Sequence, residues 1–148
     1  MRLLSVYSVI DAPAILYRLL IERSTEDDAS INISHRALPT PEQHMEFYLS
    51  RPYAYWDLIE YGEAFIGYVS MTQNNEIGVM LFQRWRGLRL GPEAVELFMT
   101  LYRPMPPLAG RRSGNWLANI NPANEHSRKM FEKLGFRLIQ HTFEKEPS

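Results

Sequence analysis

The chain has 148 residues, a length that favours one domain over residues 1–148, and its 45% hydrophobic and 22% charged residues are typical of a globular protein. It contains no cysteine, which excludes a disulfide framework, a thiolate nucleophile and a zinc site built on cysteine. The formal net charge of −1 predicts no nucleic-acid partner, and no apolar run reaches the roughly 20 residues that span a bilayer, so we expect a cytoplasmic protein without a membrane partner.

The first part of the chain predicts one strand and two helices. Residues 3–10 are rich in apolar and β-branched side chains, as strands are. Asp11 is placed to cap a helix that runs to about Ser24 and carries apolar residues at helical spacing. The sequence TPEQ at 40–43 predicts a second helix, because it supplies a cap, a proline at the first helical position and a capping box. This helix is expected to end near Arg51.

Three strands joined by tight turns are predicted next, at 53–60, 63–72 and 76–82. The first turn is Tyr61-Gly62 and the second is Asn74-Asn75. Glycine and asparagine suit these turns because both tolerate positive φ.

The remaining elements alternate between helix and strand. We expect a helix at 90–103, a strand at 115–120, a helix opened by Asn121-Pro122 and ended by Gly135, and a strand at 136–143. The full order is β-α-α-β-β-β-α-β-α-β, with no internal repeat and no linker that divides the chain.

An anion site is predicted where the strand at 76–82 runs into a basic, glycine-containing turn that opens the next helix. Backbone N–H groups at a helix start, the helix dipole and arginine side chains all favour a phosphate there. The bland alternative is an ordinary turn with a solvated basic face. The turn is neither a Walker loop nor a dinucleotide fingerprint, since it lacks the spacing of both.

Two stretches resemble one known family. The string Asn-x-x-Ser-x-x-x-Phe-Glu-Lys-Leu-Gly-Phe at 124–136 resembles the last sequence block of the GCN5-related N-acetyltransferases. Residues 76–91 resemble the acetyl-CoA block of the same family without a gap. The resemblance implies an α/β (α+β) fold with a central mixed, mostly antiparallel sheet of about six to seven strands and about four helices, splayed between the fourth and fifth strands.

The resemblance also implies how acetyl-CoA is held. Val79 and Leu81 are expected to offer backbone groups to the pantetheine arm, and the pyrophosphate is expected on the basic turn. Asn119, Asn124 and Ser127 are expected along the pantetheine and the thioester. The cofactor-binding residues predicted on the turn are Arg84, Arg86, Gly87, Leu88, Arg89, Leu90 and Gly91.

Two residues depart from the family pattern. Arg89 stands where the family has glycine, and if that position needs positive φ the arginine costs on the order of 1 kcal/mol. Phe131 stands where many members have a tyrosine general acid, so Ser127 is the predicted substitute.

Three catalytic residues are predicted: Glu76, Ser127 and His35. Glu76 stands where several family members have a carboxylate base, and its alternative is an exposed residue beside a hairpin turn. His35 precedes the second helix, in a region that lines the acceptor site in this family, and its alternative is an ordinary loop histidine. Arg111 and Arg112 belong either to a solvated loop or to a contact with the 3′-phosphate or an acidic acceptor. No residues have metal-ligand spacing.

The resemblance implies an acetyl-CoA-dependent N-acetyltransferase that acts by direct attack in a ternary complex. The acceptor is an amino sugar, a protein or peptide N-terminus or a small-molecule amine, and the branches that acetylate ribosomal-protein N-termini and amino sugars are equally similar. A catalytically inactive acyl-CoA-binding protein and a site for another phosphate ligand stay open as alternatives. A homodimer is a further expectation that the sequence leaves open.

Overall fold

The computed structural model describes residues 1–26 and 37–148, which form one antiparallel sheet with helices on both faces. The strands lie in the order β1-β2-β3-β4, and each pairs antiparallel with its neighbour. The strands are β1 Arg2–Ser5, β2 Tyr55–Tyr61, β3 Ala64–Met71 and β4 Ile77–Leu81. The helices are α1 Ala12–Ser24, α2 Pro41–Leu49, α3 Leu90–Leu101 and α4 Glu125–Lys133, with single 3₁₀ turns at Val6–Ser8 and Gln83–Trp85.

Alternating residues of the strands bury against different helices. Leu58 and Met80 pack with residues of α1 and α2, whereas Ile59 and Leu81 pack with residues of α3 and α4. Since successive side chains of a strand point to opposite faces, α1 and α2 cover one face of the sheet and α3 and α4 cover the other.

Several local predictions are confirmed. The Thr40 side chain accepts from the Gln43 N–H at 3.2 Å, and the Gln43 side chain accepts from the Thr40 N–H at 2.9 Å, which completes the capping box. Asn75 has φ 65° in the β3–β4 turn, and Gly135 has φ 93° after α4, conformations that suit asparagine and glycine.

The prediction of six to seven strands is wrong for the described residues, which form four. In the predicted strand at 115–120 only Leu117 pairs, through an isolated parallel bridge to Glu76. The predicted strand at 136–143 has no strand partner among residues 1–26 and 37–148, and its residues from 137 onward are exposed. A strand needs a neighbouring backbone to bond with, and a favourable residue pattern alone does not supply one.

One helix start and one capping contact differ from the sequence prediction. Helix α4 begins at Glu125 and not at Asn121-Pro122, because the Asn124 side chain caps it by accepting from the Ser127 N–H at 3.1 Å. Asp11 stands at the cap position of α1, but its side chain makes no capping hydrogen bond.

Candidate active site

The outer edge of β4 is open beyond its first residue. The Thr72 N–H donates to the Glu76 carbonyl at 3.0 Å, so the even-numbered residues of this strand bond to β3 and the odd-numbered ones face outward. The first outward residue, Ile77, donates to the Leu117 carbonyl at 2.8 Å. Past that bond no backbone group of the described residues pairs with Val79 on this side.

The turn that follows β4 exposes a set of backbone donors. Gly87 has φ 76° and Arg89 has φ 62°, so the chain changes direction twice before α3 begins. The first N–H groups of a helix have no acceptor within the helix. Within residues 1–26 and 37–148, no acceptor is found for the backbone N–H groups of residues 87–91. They form a cluster of free donors at the positive end of the α3 dipole.

Arg89 has φ 62°, so the condition under which an arginine at this position is strained is met. Its backbone is left-handed, which costs a non-glycine residue about 1 kcal/mol. Its exposed guanidinium makes no hydrogen bond or ion pair with the described part of the chain. The side chain is therefore available to an anion bound at the start of α3.

The guanidinium of Arg86 is hydrogen-bonded to other groups of the protein. Nε and Nη2 donate to the Leu81 carbonyl at 3.2 and 3.1 Å, and Nη1 and Nη2 donate to the Glu26 carboxylate, each at 2.7 Å. The hydrogen bond to Glu26 raises the pKa of Arg86 above its ordinary value. The Arg86 N–H donates to the Gln83 carbonyl at 3.1 Å. In this structure its backbone N–H and most of its guanidinium donors bond to protein groups, and the predicted contact of Arg86 with a phosphate stays a prediction.

Arg84 is the third basic residue of the turn, and it is exposed. Its guanidinium lies 5.0 Å from the centroid of the Trp85 ring, a cation–π contact that leaves its N–H groups accessible. Arg84 and Arg89 are thus the arginines of the turn whose guanidinium groups make no hydrogen bond or ion pair with the described residues.

Glu76 and Asn119 lie side by side at the other end of β4. Asn119 Nδ2 donates to Glu76 Oε2 at 2.6 Å, and no described residue bonds to Oε1. Next to this pair, buried Asn75 exchanges two hydrogen bonds with the backbone of Met105 and accepts from the Leu117 N–H. These bonds fix the backbone position of Glu76, while the second carboxylate oxygen stays open.

Helix α4, which carries Ser127, lies against the start of α3. A β-carbon added at Gly91 would lie 3.7 Å from Met130 Sδ, so α4 packs against the start of α3. Ser127 precedes Met130 by three residues and shares its side of the helix. Asn124 accepts the Ser127 N–H through its side-chain oxygen, which leaves its amide N–H groups for other partners. Phe131 is 5% exposed and packs against Phe136.

One predicted site residue falls outside the described residues, and the contacts of three other residues were not predicted. His35 lies outside the described residues. Sequence reasoning missed Glu22 and Glu26, which bring the end of α1 to the turn, because pairs about sixty residues apart leave no local signal. It treated Asn75 only as a turn residue, because its two side-chain hydrogen bonds are to Met105, thirty residues away, and leave no local signal.

The described ranges hold neither a metal-binding cluster nor a membrane-spanning helix. No group of three metal-binding side chains comes together in residues 1–26 and 37–148. None of the helices in those ranges is long and apolar enough to cross a membrane.

Comparison with known proteins places these features in a family. The sequence matches the acetyltransferase (GNAT) domain family over residues 7–137. No curated protein sequence matches the chain significantly.

Three solved structures illustrate the shared fold. A domain from Methanocaldococcus jannaschii has a TM-score of 0.64 at 21% identity, covering 87% of this chain and 86% of its own. Ribosomal-protein-alanine N-acetyltransferase from Brucella melitensis has a TM-score of 0.64 at 19% identity, covering 92% of this chain and 83% of its own. The yncA protein of Salmonella typhimurium, solved with its cofactor acetyl-CoA, has a TM-score of 0.59 at 14% identity, covering 91% of this chain and 77% of its own. At these identities the likeness concerns the fold.

Proposed function

Because the chain belongs to the GNAT acetyltransferase family, we propose that it transfers acetyl from acetyl-CoA to a primary amine by direct attack in a ternary complex. One observation carries this proposal. The open edge of β4 at Val79 runs directly into a turn whose N–H groups at residues 87–91 have no acceptor in the described chain. An extended amide-containing arm that ends in a pyrophosphate matches both features.

The binding residues follow from this match. Val79 is the residue whose backbone would pair with the pantetheine, together with the Leu81 N–H, since Arg86 already occupies the Leu81 carbonyl. The N–H groups from Gly87 to Gly91 would hold the pyrophosphate, with Arg84 and Arg89 adding charge. Asn124 and Ser127 approach from α4.

Glu76 is the proposed general base. An alkyl ammonium has a pKa near 10.4, so the acceptor must lose a proton before its nitrogen can attack. Glu76 Oε1 has no partner among the described residues and can accept that proton directly or through a water. A backbone N–H of the Val79–Leu81 stretch would stabilise the oxyanion. A thiol has an ordinary pKa of about 8.5, so the thiolate leaves with little help, which Ser127 can supply.

The proposed acceptor is a primary amine, and three classes of compound supply one. Amino sugars, protein or peptide N-termini and small-molecule amines all present a primary amine to the base. A turnover screen with acetyl-CoA and these three classes tests the proposal. Acetyl transfer to any of them, lost in Glu76→Gln, supports it, and CoA release that no amine accelerates contradicts it.

A second candidate function is an acyl-CoA-binding protein without catalysis. Phe131 favours it, because this residue is buried in the core and carries no hydroxyl where many family members have a tyrosine acid. Binding of acetyl-CoA without transfer to any amine in the screen would select this candidate over the enzyme.

A further inference from the structure

We propose that Glu26 and Arg86 are positioning residues for acetyl-CoA, and that the carboxylate of Glu26 strengthens the binding of the anionic ligand. The proposal rests on the proposed function, because it concerns the same phosphate-binding turn. It runs against simple electrostatics, which expects a carboxylate near a phosphate site to weaken binding.

The geometry of Arg86 carries the proposal. Its guanidinium joins the turn to two other elements, the last residue of β4 through the Leu81 carbonyl and the end of α1 through Glu26. A bidentate contact with a carboxylate fixes the plane of the guanidinium as well as its position. Arg86 therefore sets the point at which the chain leaves β4 and begins the turn.

Burial makes this contact costly to lose. The Glu26 side chain is 11% exposed and the Arg86 side chain is 35% exposed, so the pair is shielded more than a surface ion pair is. Removing one partner of a shielded pair leaves the other with an uncompensated charge. The remaining residue would move to find water, and the turn would move with it.

A second acid supports the same assignment. Glu22, in the last turns of α1 and four residues before Glu26, accepts the backbone N–H of Gln83 at the start of the turn. One carboxylate of α1 and one just after its end thus hold the first residues of the turn, and the free N–H groups begin directly after, at Gly87. Their direction depends on where Arg86 is held, because Arg86 immediately precedes Gly87.

Calorimetric titration with acetyl-CoA and with dephospho-CoA tests the proposal. The proposal predicts that Glu26→Gln lowers the affinity, whereas simple electrostatics predicts that it raises the affinity. Glu26→Gln should weaken both ligands about tenfold, because the turn loses a charge-assisted anchor although a negative charge has been removed. Glu93→Gln is the matched control, since Glu93 is an exposed acid in the first turn of α3 whose side chain makes no hydrogen bond or ion pair with the described residues, and whose backbone bond to the Arg89 carbonyl is unaffected by the substitution. It should bind acetyl-CoA as tightly as the wild type or slightly more tightly.

Substitution of Arg86 separates a positioning residue from a phosphate ligand. Arg86→Lys keeps a positive charge but cannot form the bidentate contact, so it should weaken acetyl-CoA about as much as Glu26→Gln does. In the double variant Arg86→Lys/Glu26→Gln the two losses should not add. Thermal unfolding of each variant identifies any that fail to fold. Glu26→Gln is the milder change, and the direction of the change in acetyl-CoA affinity is measured on it.

The outcomes are distinct. If Glu26→Gln binds acetyl-CoA as tightly as Glu93→Gln does, or more tightly than the wild type, Glu26 only competes with the ligand for Arg86 and the inference is wrong. If the wild type itself does not bind acetyl-CoA, the proposed function fails first. A tenfold loss of acetyl-CoA affinity in Glu26→Gln, with the affinity unchanged in Glu93→Gln, supports both this inference and the proposed function.

Discussion

At the C-terminal end of β4 Arg86 holds the turn with four hydrogen bonds, whereas at the N-terminal end the Glu76 carboxylate has one side-chain partner and an open oxygen. The difference separates two tasks along one strand. A turn that binds an anion needs backbone donors held in place, and a general base needs a lone pair that no protein group has taken. Changes at the first end should alter affinity, and changes at the second should alter rate.

The largest expected effect is on rate. Glu76→Gln keeps the size of the side chain and its acceptor for Asn119 but removes the base, so kcat should fall about 100-fold. The dissociation constant for acetyl-CoA should stay within error of the wild type. Steady-state kinetics and calorimetry measure the two quantities, and Glu63→Gln, an exposed acid in the β2–β3 turn, serves as the control. A rate unchanged at neutral pH would remove Glu76 from the mechanism.

The next effect is on affinity. Leu88 is 59% exposed and lies among the free donors of the turn, so Leu88→Glu places a carboxylate beside the proposed pyrophosphate. Acetyl-CoA should bind about tenfold more weakly. Leu88→Gln, which has the same size without the charge, should bind nearly as the wild type does. Equal affinities of the two variants would place the pyrophosphate away from this turn.

Position 91 is a less informative place for the same test. A side chain there would point at Leu81 and Met130 in the core and not at the ligand. Gly91→Glu would therefore damage packing between α3 and α4, and a loss of acetyl-CoA affinity could not be assigned to the pyrophosphate.

A smaller effect is expected at Arg89, with opposite signs for stability and binding. Asparagine adopts the left-handed conformation more readily, so Arg89→Asn should raise the free energy of unfolding by up to about 1 kcal/mol. The lost charge should weaken acetyl-CoA about threefold. Chemical denaturation and calorimetry measure the two changes. Tighter binding of acetyl-CoA by the variant would mean that the arginine obstructs the site.

The smallest expected effect is on stability and arises at His44, away from both ends of β4. His44 is buried between α1 and α2, where Nε2 lies 3.1 Å from the Pro13 carbonyl, and burial lowers the pKa of His44 below its ordinary value. A base with a lowered folded pKa binds protons more readily when unfolded. The stability it contributes is therefore present above about pH 6.5 and is lost as the pH falls through 6.5 toward the folded pKa.

Thermal unfolding at pH 7.5 and pH 5.5 checks this prediction. The wild type should lose stability at the lower pH, and His44→Gln, which keeps a donor for Pro13, should lose less. An equal loss in both proteins would show that other groups cause the pH dependence.

The sequence predicted those features that depend on neighbouring residues. The capping box at Thr40, the turn at Asn75 and the glycine after α4 are determined by a few consecutive side chains. The strand predictions at 115–120 and 136–143 were wrong because pairing depends on the position of another backbone. The Arg86–Glu26 contact was missed for the same reason, since its partners are brought together only by the packing of α1 on the sheet.

The most direct test of the central claim is calorimetric titration of the wild-type protein with acetyl-CoA, beside dephospho-CoA and ATP. The open edge of β4 and the donors at residues 87–91 predict micromolar binding that prefers acetyl-CoA over both controls. Absence of binding, or equal affinity for ATP, would contradict the assignment and would mean that this turn holds another phosphate ligand or none.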